Sequence, residues 1–299
     1  MNGPIPGAID VSVIIVTFNS ADCIGACVDS AREQRGISVE VIVVDNASAD
    51  ATLARLKDQP CRVIPSAENL GFGRGNNIGF AASRGRYIYL LNPDARLEGP
   101  GSLAELCRLM DANSRWGMAG TLVRSADGKS ESPPAREYPG ARHVHRDFSK
   151  LPGPIAWIIG ASAIIRRELY EKLGGFDPEF FLYSEETDFC LRLRELGFEI
   201  GHVPAVAVSH IGGASEDRRD PYHVSAQKLR GLMRFRAKHY PPEDCTWLAR
   251  RDLRRARWRA FWNGLLAHFR PAGSRAWQKH RQYRAIADLS REYLNHLVV

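Results

Sequence analysis

Short apolar runs separated by polar turns organise the first hundred residues. Val11 to Val16 is rich in β-branched side chains and gives way to the polar Thr17-Phe18-Asn19-Ser20. Val39 to Val44 is a second run, ending at Asp45. Arg62 to Pro65 is a third, and Tyr87 to Leu91 a fourth, stopped by Asn92-Pro93-Asp94. Continuous apolar runs of this length predict strands buried on both faces. Between them the pattern predicts a helix from Ala21 to Gln34, ended by Gly36, and a short helix after the turn at Asn46 that runs to about Asp58. A glycine- and asparagine-rich loop, Asn69 to Asn77, then leads into a helix ending near Gly85.

Strands alternating with helices predict an α/β fold: a mostly parallel, Rossmann-like sheet with helices on both faces. Ligands of such sheets sit outside the carboxyl ends of the strands. The polar residues at those ends are Thr17, Asn19, Asp45, Asn69, Asn92 and Asp94, so topology alone gathers them at one edge.

The pattern is less regular in the middle. Asp127 to Pro154 reads as a long loop, and Ile155 to Ile165 as a buried segment. Gly174-Gly175 precedes an aromatic stretch, Phe176 to Tyr183. A helix is expected from an N-cap at Ser184 to Gly197, with Phe189, Leu193 and Leu196 as its apolar stripe. A strand from Ile200 to Val208 leads to His210. From Tyr222 the chain reads as helical, which divides it into a catalytic domain, 1–221, and a basic helical extension, 222–299. In that extension Trp258, Phe261, Trp262, Leu265 and Phe269 fall on one helix face. Arg250, Arg251, Arg254, Arg255, Arg257 and Arg259 crowd the approach. Arginine beside Trp and Phe is a membrane-interface composition; a helix docked on the catalytic body with a basic outer face is the competing expectation.

Charge sharpens this division. The net charge is +7, yet residues 227–299 hold 17 Lys+Arg against 5 Asp+Glu, a net of +12 that leaves −5 for the rest. A basic tail suits an anionic membrane, a nucleic acid or an acidic partner. The longest apolar stretch, Ile155 to Ile165, has 11 residues, and a spanning helix needs about 20. Met1 to Asp10 lacks the features of a signal peptide. Six scattered cysteines without C-x-x-C spacing read as reduced thiols. The expected location is the cytoplasm, with peripheral contact at the inner face of the cell membrane.

The candidate chemistry lies at the strand ends. A carboxylate at Asp94, beside the oxygen-bearing Asn92, suits Mg²⁺ or Mn²⁺, and such a cation bridges a diphosphate. The tripeptide Asn-Pro-Asp is also a favoured turn. His210 is a candidate ligand only in combination with Asp94. Glu185, Glu186 and Asp188 cluster in a first helical turn, where acids complement the macrodipole; they are equally three candidates for a general base. In Gly71-Phe72-Gly73-Arg74-Gly75 small residues let backbone approach a ligand, and Arg74 can clamp a phosphate. This is no dinucleotide fingerprint, since Asn76 stands where the last glycine is required, and Gly128-Lys129-Ser130 is no phosphate-binding P-loop, since Val123 occupies its first glycine.

The ordered series Val13-Ile14-Ile15-Val16-Thr17-Phe18-Asn19, Val43-Val44-Asp45-Asn46-Ala47-Ser48, Glu68-Asn69-Leu70-Gly71-Phe72, Leu90-Leu91-Asn92-Pro93-Asp94 and Gly174-Gly175-Phe176-Asp177 resembles the family 2 glycosyltransferases of GT-A fold, especially their bacterial rhamnosyltransferase-like branch. The resemblance covers Val11 to about Ser215. It implies an inverting, metal-dependent transferase using a nucleotide-diphosphate sugar: dTDP-rhamnose first, a UDP-sugar second. By position, Thr17, Phe18, Asn19 and Asp45 would hold the nucleoside. Asn69, Arg74 and Asn76 would lie near the ribose and diphosphate. Asp94, with Asn92 beside it and His210 completing the site, would bind the metal, and Glu186 would stand at the base position, with Asp188 and Glu185 in reserve. Asn92 replaces the first Asp of the family's common D-x-D, and Glu186 stands where Asp is commoner. The implied acceptor is a glycan or a lipid-linked glycan. A second copy of the chain is a further candidate partner, nucleic acid is not expected, and the rival class is a catalytically silent nucleotide-sugar-binding or membrane-associated assembly module.

Overall fold

The computed structural model describes residues 8–212 and 220–296. Met1, Ser215 and the final residues, which bound the expected domains and the resemblance, lie outside them. The described residues form two compact units, one within 8–138, 151–181 and 185–212, the other within 139–150, 182–184 and 220–296.

The first unit runs β1 (Val11–Thr17), α1 (Ile24–Arg32), β2 (Val39–Asp45), α2 (Thr52–Leu56), β3 (Arg62–Pro65), α3 (Gly71–Ala81), β4 (Tyr87–Leu91), β5 (Ala95–Leu97), α4 (Ser102–Ala112), β6 (Trp116–Ser125), β7 (Glu131–Ser132), β8 (Ser162–Arg166), α5 (Arg167–Lys172), α6 (Glu185–Glu195) and β9 (Glu199–His210). Its sheet has the order β3-β2-β1-β4-β8-β6-β9-β5, with β7 beside β6. The first four strands are parallel to one another; β8 then runs antiparallel between β4 and β6.

The buried runs still alternate, because successive strand side chains face opposite ways. Val11, Val13 and Ile15 pack with Val28, Leu103, Leu106 and Met110 under α1 and α4. Ile14, Ile88 and Leu90 face the other way, onto Leu169, Tyr170, Phe176, Phe189 and Leu193 around α5 and α6. Both faces of the sheet are therefore covered.

Two local expectations change. The segment expected as a glycine-rich loop is the first half of α3. Its glycines weaken the helix locally but allow it to lie against β1: a Cβ at Gly75 would come 2.7 Å from Val16 Cγ1, and one at Gly79 would run into Ile14 Cγ2. Packing overrides propensity here. Ser184, expected as an N-cap, has φ +70, whereas a capping residue takes the extended region. Phe189 and Leu193 are fully buried as anticipated, but Leu196 is exposed.

The second unit holds α7 (Pro221–His239), α8 (Pro242–His268) and α9 (Arg275–His296). Asp220 caps α7 by accepting from Tyr222 N, and Ala226, Leu229, Ala285 and Leu289 form its small core. Among the described residues no helix is long and apolar enough to cross a membrane.

Candidate active site

The edge where β1, β2 and β4 end collects the polar groups. Parallel pairing sets Thr17 directly beside Asp45. Both are buried, and Asn46 follows, also buried. Thr17 Oγ1, Asp45 Oδ1 and Asn46 Oδ1 have no hydrogen-bond partner within the protein. The loops after the two strands are tied together. Asn19 Oδ1 accepts from Ala49 N at 2.8 Å, Asn19 N donates to Ser48 Oγ at 2.9 Å, and Asp45 Oδ2 accepts from Ser48 N at 3.1 Å. Asn19 and Ala47 both take left-handed backbone, φ 50 and 60. That conformation is strained for alanine and recurs at functional loops. Phe18, just before Asn19, is half-buried.

Asn46 Nδ2 donates to Gly71 O at 2.9 Å and so fixes the start of α3 to the end of β2. Its role is legible in hindsight from its place after Asp45 at a strand end, yet residue type alone did not single it out. Other expected donor residues serve the helix: Asn69 Oδ1 accepts from Gly71 N, and Asn76 Nδ2 donates to Phe72 O. Arg74 is exposed and donates from Nε to Pro178 O at 2.7 Å.

Beyond β4 the backbone turns at Asn92-Pro93-Asp94, where Asn92 N donates to Ala161 O. The turn feeds β5, which pairs antiparallel with the end of β9 and sets Ala95 opposite His210. His210 Nε2 lies 3.1 Å from Asp94 Oδ1 and 3.2 Å from Asn92 Nδ2, and Asp94 is buried. Residues 118 apart in sequence thus meet because β5 and β9 pair. Among the described residues no group of three or more His, Cys, Asp and Glu gathers as a metal cluster, so this pair stands with Asn92. The nearby thiols are soft donors, poorly matched to a hard cation such as Mg²⁺ or Mn²⁺. Burial, then the Asp94 carboxylate, push Cys23 up to about 11, and burial holds Cys27 well above its usual range.

The three acids of α6 have different surroundings. Asp188 is fully buried and accepts from Arg192 Nε at 2.8 Å, while the same guanidinium donates to Leu173 O and Gly175 O. Glu185 is buried, and its Oε2 has no partner. Burial, and then the Glu186 carboxylate, push the Glu185 carboxyl well above the usual carboxylate range. Glu186 is half-buried and sits near Gly160, where a Cβ would lie 3.6 Å from Glu186 Cβ. Ala161, next in the chain, accepts the Asn92 N–H. The segment Gly160–Ala161 thus lies against Glu186 on one side and bonds the Asn92 backbone on the other.

Residues 12–174 match the family model described as glycosyl transferase family 2. The chain belongs to that family. An N-acetylglucosaminyl-diphospho-decaprenol L-rhamnosyltransferase of Mycobacterium tuberculosis is 32% identical over 224 residues, 63% of this chain and 71% of the relative. A dTDP-rhamnosyl transferase of Shigella flexneri is 23% identical over 211 residues, 68% and 70% of the two chains. A mannosyltransferase of Pyrobaculum calidifontis, solved with GDP-Man and Mn²⁺, superposes with a TM-score of 0.60 at 19% identity, covering 97% of this chain and 91% of that one. That likeness is one of fold: the sheet and its helices form the GT-A architecture. The transferase is therefore a sugar-transferring enzyme with rhamnosyltransferases among its relatives.

Proposed function

We propose that this transferase moves rhamnose from dTDP-rhamnose, with inversion and with the help of a divalent cation, to a hydroxyl of a glycan or lipid-linked glycan. The observation that carries the reading is the meeting of Asp94 and His210 at 3.1 Å beside the strand ends. The Asp94 carboxylate, with His210 Nε2 and the Asn92 side chain beside it, would hold a divalent cation such as Mg²⁺ or Mn²⁺. Bound there, it would supply positive charge against the leaving diphosphate.

The protein's own groups supply the rest. Thr17 Oγ1, Asp45 Oδ1 and Asn46 Oδ1 are buried without partners, which costs roughly 1–3 kcal/mol each. A nucleoside at the same edge would satisfy them: the Asp45 carboxylate accepting from a pyrimidine ring N–H, the Thr17 hydroxyl donating or accepting beside it. Glu186 is the general base. It takes the proton of the acceptor hydroxyl as that oxygen bonds the anomeric carbon from the face opposite the diphosphate, whose bond to that carbon breaks. Burial favours the uncharged form of Glu185 beside Glu186, and Asp188 orients the helix through Arg192.

The supporting names are those of the relatives, two of which are rhamnosyltransferases, one of them for a dTDP-linked sugar. Asp94→Ala with dTDP-rhamnose and Mn²⁺ tests the reading. We expect loss of transfer with an unchanged unfolding temperature; full activity overturns the mechanism. Donor binding without turnover in the parent protein would instead mark a silent binding module.

A further inference from the structure

The C-terminal half of α8 presents large apolar side chains to solvent. Trp258, Phe261, Trp262, Leu265, Leu266 and Phe269 are all exposed, Trp258 by 65% and Phe269 by 78%. At 3.6 residues per turn they occupy an arc of about 140°. The helix is held the other way round by its small residues. Ala256 and Ala260 are buried, Ala260 O accepts from His280 Nδ1 at 2.8 Å, and a Cβ at Gly264 would lie 2.7 Å from His280 Nδ1. This close seam with α9 turns the aromatic face outward, so the unit itself does not cover it. Exposed apolar patches of this kind mark an interaction surface.

The charge around the patch says what covers it. Between Arg250 and Lys279 the chain holds nine basic residues and a single acid, Asp252, and Asp252 is paired with Arg236 at 2.7 Å. Next to the patch a cleft of about 260 Å³ is lined by Asn263, Leu266, Arg270, Ser274, Arg275 and Lys279. Three cations beside two hydroxyl- or amide-bearing side chains make a setting for a phosphate. A second copy of the chain packed face to face would set these arginines against their own kind, which is costly. An anionic bilayer complements both features: acyl chains for the rings, headgroup phosphates for the cations.

We propose that the aromatic face of α8, with the basic cleft at the α8–α9 turn, is a docking surface for anionic phospholipid bilayers, lying in the interface plane rather than spanning it. This does not rest on the donor or the reaction assigned above.

The test is co-sedimentation of the full chain with vesicles of phosphatidylcholine alone or mixed with phosphatidylglycerol. The parent protein should pellet with the mixed vesicles and release in high salt. Trp258→Ser/Phe261→Ser/Trp262→Ser, on an exposed face, should keep its unfolding temperature and lose roughly tenfold in partitioning. Arg270→Glu/Arg275→Glu/Lys279→Glu should lose binding to mixed vesicles while its far-ultraviolet circular dichroism is unchanged. Equal pelleting of the parent and both variants overturns the proposal. So does sedimentation velocity showing a parent dimer that the serine variant abolishes, with no vesicle binding by either.

Discussion

The sheet unit buries polar atoms that its own chain leaves unsatisfied, whereas the helical unit exposes apolar rings that its own chain leaves uncovered. Thr17, Asp45, Asn46 and Glu185 in the first carry partnerless oxygens; Trp258, Phe261 and Phe269 in the second lie open to solvent. Each departure costs stability by itself. A buried polar group without a partner loses roughly 1–3 kcal/mol, and apolar surface left in water forgoes about 25 cal/mol per Å². If the proposed donor and bilayer contacts hold, both units are completed from outside, one by a polar ligand and the other by a lipid surface.

The largest effect expected is on the reaction. Glu186→Gln should lower turnover roughly 10²- to 10⁴-fold while leaving the dissociation constant of the donor unchanged, as steady-state kinetics and calorimetry would show. A parallel loss of donor affinity would move Glu186 from proton transfer to binding. Thr17→Val separates ligand binding from folding at the sheet edge. Its hydroxyl serves nothing in the ligand-free chain, so stability should hold or rise while donor affinity falls about tenfold. If thermal unfolding drops instead, the hydroxyl has a structural duty and the contrast between the units weakens.

Packing gives an intermediate effect. Gly75→Ala places a Cβ 2.7 Å from Val16 Cγ1 and should destabilise the fold by roughly 1–3 kcal/mol, as overpacking does. Chemical denaturation would measure it. An unchanged midpoint would mean that α3 can move away from β1.

Glu185 gives a pH-dependent effect. Its folded carboxyl titrates above its unfolded value, so the folded chain holds a proton that the unfolded chain releases. Stability is then full below the unfolded pKa and falls as pH rises through the folded one. Glu185→Gln should flatten that decline and raise the unfolding temperature at neutral pH relative to the parent. An equal pH slope in both proteins would contradict the raised titration of Glu185. The smallest effect is expected on the other unit: Phe269→Ser should change stability by no more than about 0.5 kcal/mol, since 78% of the residue is exposed.

The two regions also differ in how far residues alone reveal them. β1, β2 and β4 are legible because apolar runs end abruptly at Thr17, Asp45 and Asn92, and parallel topology does the rest. The start of α3 is not, because Gly71, Gly73 and Gly75 lower helix propensity, and it takes packing against Phe181, Phe176 and Val16 to offset that. The nearness of His210 to Asp94 is hidden as well: it depends on β9 pairing with β5 across the far end of the sheet. The differing states of Glu185, Glu186 and Asp188 need burial and the Arg192 contact, which spacing does not carry. In α8 the aromatic periodicity is plain. Which face turns outward was encoded too, in the small residues Ala256, Ala260 and Gly264.

Calorimetric titration of dTDP-rhamnose into the parent protein and into Asp94→Ala, each with and without Mn²⁺, bears most directly on the proposed metal pair. The account predicts that Mn²⁺ strengthens donor binding in the parent and has no such effect in Asp94→Ala, with both proteins equally folded. Mn²⁺-dependent binding of equal strength in the two proteins would contradict it.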